Sequence, residues 1–178
     1  MSEEKIRKAQ KIIKTFRDTL EEKVKDTSII VVLLGASGKG LRKRRKIRAR
    51  LEEEGVIAII PEDDFPAKEA PSVAEEAIFA EEDVDLVYVN VESWGSATEF
   101  AQFHEKKTTA HKLRVLTRRE YHPLYGDSQS YLTDLYLSHL AVYGHVYAYS
   151  EEGCFLPPEE IILKLSRRYK KLKALGKI

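Results

Sequence analysis

S-I-I-V-V-L-L-G-A-S-G-K-G, residues Ser28 to Gly40, is the stretch on which the fold turns. Its first half is a continuous β-branched and apolar run, the pattern of a strand buried on both faces, as in a parallel sheet. Its second half holds three glycines in six residues and leads into a basic segment, Leu41 to Glu54, that reads as a helix. Gly55 stands where a helix ends on a left-handed residue. Val56 to Ile60 then supplies a second strand, closed by Pro61. Strand, crossover helix and strand form a βαβ unit, which sets the class of everything that follows.

Downstream the alternation continues. Glu62 to Ala70 is an acidic, proline-containing loop, and Ser72-x-x-Glu75 has the form of a capping box opening a helix through Glu82. Leu86 to Val91 is the third strand, followed by a helix starting at Gly95-Ser96 and running to about Lys106, with Glu99 in its first turn. Leu113 to Leu116, a loop from Glu120 to Gln129, a helix from Ser130 to Val142 and a strand from His145 to Tyr149 come next. Pro157-Pro158 starts a last helix. Upstream, Ile6, Ala9, Ile12, Ile13, Phe16, Leu20 and Val24 make one apolar face of a helix over Glu3 to Lys25, free to pack on the sheet or on a second subunit.

These elements predict a flavodoxin-like (Rossmann-like) α/β three-layer sandwich with a five-stranded parallel sheet of order 2-1-3-4-5. Residues 1–27 form an extra N-terminal helix and residues 28–178 a single α/β domain. In that strand order the switch point lies between the first and third strands, and ligands bind beyond their carboxyl ends. Gly35 to Gly40 and Glu92 to Glu99 both reach that crevice, with Glu62 to Asp64 at its side.

Composition narrows the classes of function. A net charge of +1 supplies no global field toward nucleic acid or a membrane surface. No apolar run approaches the ~18 residues of a membrane span, and the charged first residues lack the apolar core of a signal peptide. The single cysteine, Cys154, excludes an internal disulfide and fits a reducing interior, so the expected location is the cytoplasm. Abundant Lys, Glu and Arg beside one Asn and three Gln is the composition of hyperthermophile proteins.

The chemistry available is that of the crevice loops. Gly35, Ser37, Gly38, Lys39 and Gly40 are candidates for a phosphate cradle of exposed amides at a helix N-terminus; the alternative is a turn whose glycines only ease the geometry. The spacing matches neither the Walker A sequence nor the dinucleotide G-x-G-x-x-G. The basic run from Arg42 to Arg50 is followed at once by Glu52-Glu53-Glu54 and carries no aromatic residues, which favours a solvated helix face over a nucleic-acid surface. Asp63 and Asp64, with Glu62, follow the second strand where carboxylates can take ribose hydroxyls, or they form an acidic surface loop. Trp94, Gly95 and Ser96 stand where a sugar or base pocket would have its wall. Glu99 either turns back in a capping box with Ser96 or faces the crevice as a nucleophile or cation stabiliser.

Gly95 to Phe103, G-S-A-T-E-F-A-Q-F, resembles the G-[TS]-A-x-E-x-G-x-A signature of the nucleoside 2-deoxyribosyltransferase-like proteins, which include the deoxyribonucleoside 5′-monophosphate N-glycosidases. The similarity takes in the glycine loop and the Asp85-Leu-Val-Tyr-Val strand, and covers Ile29 to Thr117, about half of the chain. It implies that Glu99 is the nucleophile at C1′ of a (deoxy)ribose and that Gly35, Ser37, Gly38 and Gly40 bind a 5′-phosphate. Ala101 and Phe103 replace the small residues of the signature, Leu33 and Leu34 replace an aromatic residue, and only Glu75 and Glu76 stand near the family's base-binding aspartate. The expected ligand is a nucleotide or nucleoside, with hydrolase, transferase and purely binding roles all open and no cofactor called for. His104 lies five residues past Glu99, on another side of the helix. The other histidines, His111, His122, His139 and His145, show no metal-ligand spacing.

Overall fold

The computed structural model describes residues 3–65 and 71–178. Helix α1 (Glu3–Asp26) precedes β1 (Ile30–Leu34), α2 (Lys39–Glu53), β2 (Ile57–Ile59) and the single-turn α3 (Pro61–Asp64). Then come α4 (Pro71–Ala80), β3 (Val84–Asn90), α5 (Trp94–His104), the short α6 (Lys107–Ala110) and β4 (Leu113–Arg118). After a 3₁₀ turn at Arg119–Tyr121, α7 (Tyr131–Tyr143), β5 (Val146–Tyr149) and α8 (Pro158–Ala174) complete the chain.

The five strands form one sheet of order β2-β1-β3-β4-β5, parallel throughout. The protein therefore has the flavodoxin-like arrangement expected from its strand and helix alternation. β1 is central and apolar on both sides. Val31 and Leu33 pack with Ile47 and Leu51 of α2 and with Ile161 and Ile162 of α8, while Val32 and Leu34 pack with Phe79, Phe100, Phe103 and Tyr136 of α4, α5 and α7. Two apolar layers, one on each face, are why a run without alternation was required there. No described helix is long and apolar enough to cross a membrane.

Several local expectations change. The helix of the fourth element begins at Pro71, so Ser72 lies inside its first turn instead of capping it. The expected 62–70 loop starts as helix α3, and its remainder, 66–70, lies outside the described residues. α1 does not pack on the sheet. Its second half meets α8, with Leu20 and Val24 half-buried, and none of its residues is buried.

Candidate functional site

β1 ends at Leu34, and the chain must reverse before α2 can lie back on the sheet. Gly38, the N-cap of α2, has φ 59° and ψ −111°, a backbone region open to glycine and strained for a side chain. A Cβ on Gly40 would come within 3.0 Å of the Ala36 Cβ, so this turn is built close. The amides of Ala36, Ser37 and Gly38 donate to no carbonyl or side chain among the described residues. The carbonyls of Leu33, Gly35 and Ala36, in contrast, are engaged by a side chain. Gly38→Ala is expected to cost about 1–3 kcal/mol of stability from backbone strain alone, because no atom within 4 Å crowds the new methyl; a thermal melt checks it.

What engages those carbonyls is Arg44, only 4% exposed. Its guanidinium donates to Leu33 O (3.1 Å), Gly35 O (3.2 Å) and Ala36 O (3.0 Å) and grips both oxygens of Glu62 at 2.8 and 2.6 Å. A buried cation pulls the carbonyls of the turn inward and leaves its donors facing away from that bond set. The next carboxylates along α3 pair with the next arginines along α2: Arg45 with Asp63 at 2.6 Å and Arg48 with Asp64 at 2.6 Å. Asp64 also accepts from the Ile60 amide at 2.8 Å. Asp63 and Asp64 thus pair with helix α2, and the basic run is answered by acidic residues of its own chain. Exposed pairs of this kind contribute little each, about 0–1 kcal/mol.

α5 begins one residue earlier than its glycine suggests. Ser93 is the N-cap, its Oγ accepting from the Ser96 amide, and Ser96 Oγ accepts from the amides of Glu92 and Ser93. The capping box is therefore Ser93 with Ser96, and Ser96, 1% exposed, is consumed in it. Glu99 takes no part. It lies in the second turn, half-buried, with its Oε2 enclosed and without a hydrogen-bond partner among the described residues. Burial, then the nearby carboxylates of Glu75 and Glu62, push its pKa up to about 8, against the opposing charge of Arg44. Glu75, half-buried on α4, is raised as well, by burial and then by Glu62. Three carboxyls and one guanidinium thus share a cluster at the carboxyl ends of the strands.

On the other side of the glycine turn lies a cavity of about 240 Å³. Gly35, Ala36 and Gly40 form one wall, Tyr88, Asn90 and Glu92 the second, and Pro157 and Pro158 at the head of α8 the third, with Lys43 and Lys46 at the rim. Glu99 is not among the residues lining it. Glu92 accepts from the Tyr149 hydroxyl at 3.1 Å, and Asn90 Oδ1 is buried without a partner among the described residues. Of the glycine-loop candidates, Gly35 and Gly40 line this cavity, whereas Ser37, Gly38 and Lys39 are exposed on the turn above it. Trp94, the first residue of α5, is 91% exposed, and Gly95 beside it is exposed too.

Arg44 and Glu75 carry roles that sequence reading assigned elsewhere. Arg44 could have been found from its place on the inward stripe of α2 with Ile47 and Leu51. Glu75 read as part of a capping box and as a neighbour of the position of the base-binding aspartate in the resembled family. Asn90 and Glu92 had no signal beyond their position at the end of β3. The structure also pairs two histidines that lie far apart in sequence: His104 Nδ1 sits 3.1 Å from His139 Nδ1. Burial, then His104, lowers His139 to about 4, so the pair is neutral at pH 7, with one ring donating to the other. Among the described residues no group of three or more His, Cys, Asp or Glu side chains is arranged to hold a metal ion.

No protein-family model matches the chain, and no curated protein matches it either.

Proposed function

We propose that the protein cleaves or transfers the N-glycosidic bond of a nucleoside or nucleoside phosphate, with Glu99 as the carboxylate at the anomeric carbon. One observation carries this reading: Glu99 keeps an enclosed carboxyl oxygen without a partner among the described residues, beside two further carboxyls, at the carboxyl ends of a parallel sheet. A buried carboxyl left unpaired costs stability, and such groups concentrate where a ligand or reaction makes use of them. Its neighbourhood adds a route for phosphate, since Arg44 links the acidic cluster to the turn whose amides at Ala36, Ser37 and Gly38 are uncommitted.

Glu99 and Glu75 repel one another's charge, so one proton is retained between them at neutral pH. The chemistry asks for both forms. An ionised Glu99 stabilises or bonds to C1′ as the C1′–N bond breaks, and the bond's electron pair leaves with the base nitrogen, which takes a proton from a neighbouring carboxyl. Water, or an acceptor base in transfer, then attacks C1′; any C1′–O bond to Glu99 breaks with its electron pair returning to the carboxylate, and the nucleophile's proton passes to the neighbouring carboxylate that protonated the leaving base. The experiment is incubation with a panel of ribo- and deoxyribonucleosides and their 5′-phosphates, reading free base by chromatography. Base release competed by inorganic phosphate supports the reading, and intact substrates across the panel after long incubation refute it.

A second reading is a binding module without turnover. The specific observation favouring it is that the cavity lined by the glycine turn does not include Glu99. It predicts saturable nucleotide binding that Asn90→Leu weakens and Glu99→Gln leaves alone.

A further inference from the structure

α1 is a 24-residue helix, about 36 Å long, in which no residue is buried. Its apolar stripe is out of keeping with that position. Ile12, Ile13 and Phe16 are 61%, 58% and 60% exposed, and Ile6 and Ala9 continue the same face in open solvent. A helix this charged would be soluble and stable with alanine or glutamine at those places. Large β-branched and aromatic side chains there have a use only if something covers them.

The stripe is not uniform along its length. Its last two members, Leu20 and Val24, turn toward the body of the protein and line a groove of about 740 Å³ between the second half of α1, the carboxyl end of α2 and α8. The overhanging first half is free. Charge divides at the same point. The first half, 3–14, carries Lys5, Arg7, Lys8, Lys11 and Lys14 against Glu3 and Glu4, and the second, 15–26, carries Asp18, Glu21, Glu22 and Asp26 against Arg17, Lys23 and Lys25. The groove itself is balanced, with Glu21, Glu52, Glu53 and Glu54 lining it beside Arg17, Lys25, Lys170 and Lys171, so the division of charge lies along α1.

From this division we infer that α1 is the interface of a symmetric dimer, pairing antiparallel with α1 of a second copy. A two-fold axis across the middle of the helix lays the free, basic half of each copy along the acidic half and groove of the other, and covers both apolar stripes in one operation. A parallel pair would set cation on cation. The same complementarity disfavours a foreign partner, because the helix already carries both halves of the match.

Sedimentation velocity on the full chain over ~1–100 µM is the test, with twice the 20.4 kDa chain mass expected for the wild type. Phe16→Glu is expected to weaken the dimer by about 100-fold or more, while far-UV circular dichroism and the thermal midpoint of the body stay unchanged. Ile13→Glu gives a second reading of the same face. Orientation is tested with charge reversal. Lys8→Glu/Lys11→Glu and Glu21→Lys/Glu22→Lys should each weaken self-association, and mixing the two variants should restore a mixed dimer. A wild type that is monomeric at 100 µM overturns the inference, as does a dimer indifferent to Phe16→Glu. Failure of the reversed pair to recombine overturns the antiparallel arrangement.

Discussion

Glu99→Gln is expected to lower base release by roughly 10²–10⁴-fold and at the same time to make the folded protein more stable in alkali. The two effects share one cause. The folded-state pKa of Glu99 is raised from its ordinary value to about 8, first by burial and then by Glu75 and Glu62. A carboxyl raised in this way favours the native state when neutral. Its contribution is fully present below the unfolded value near 4.5 and is lost as pH rises toward about 8. Glutamine keeps the shape and cannot ionise. The variant should therefore match the wild type near pH 4 and exceed it progressively up to about pH 8, by an amount on the order of 2–4 kcal/mol. Denaturant melts at pH 4.5, 6 and 8.5 measure that difference. The wild-type rate gives an independent check, because a reaction that needs one proton held between Glu99 and its neighbour should lose about tenfold in kcat/KM for each pH unit above about 8, where that proton is lost. A Glu99→Gln protein that releases base at the wild-type rate ends the catalytic assignment, whatever its stability.

Arg44→Met should do the opposite to the fold. The substitution removes the donor to three carbonyls and the only ion-pair partner of Glu62 among the described residues. Removing one member of a buried, hydrogen-bonded pair costs about 3–5 kcal/mol, which for a chain of this length lowers Tm by roughly 10 °C. Arg44→Lys should recover little, since an ammonium cannot reach Glu62 and the turn's carbonyls together. Glu62→Gln should cost less than either, its side chain being 40% exposed. The Glu99 pKa should rise further in Arg44→Met, because the charge that opposes its elevation is gone. A melt unchanged by Arg44→Met would show that the turn holds itself.

Much of the architecture was legible from local pattern. The run Ile29 to Leu34 could be buried on both faces only inside a parallel sheet, and strands alternating with amphipathic helices leave few ways to wind one. Gly55 and Pro158 marked helix boundaries because their backbone restrictions act within one residue. The start of α5 was harder. Ser93 and Ser96 are both competent caps three residues apart, and the winner depends on where β3 releases the chain, which is a property of the sheet.

The site divides in the same way. The sequence by itself determined that a glycine turn and a glutamate-bearing helix stand at the carboxyl ends of neighbouring strands, since strand order and chain direction follow from short-range periodicity. Only the tertiary structure decided which charges meet. Asp63 and Asp64 were turned to Arg45 and Arg48, Arg44 was driven under the glycine turn, and Glu75 was brought to Glu99. Charge acts through space and depends on burial, and neither its neighbours nor its dielectric surroundings can be read along a chain.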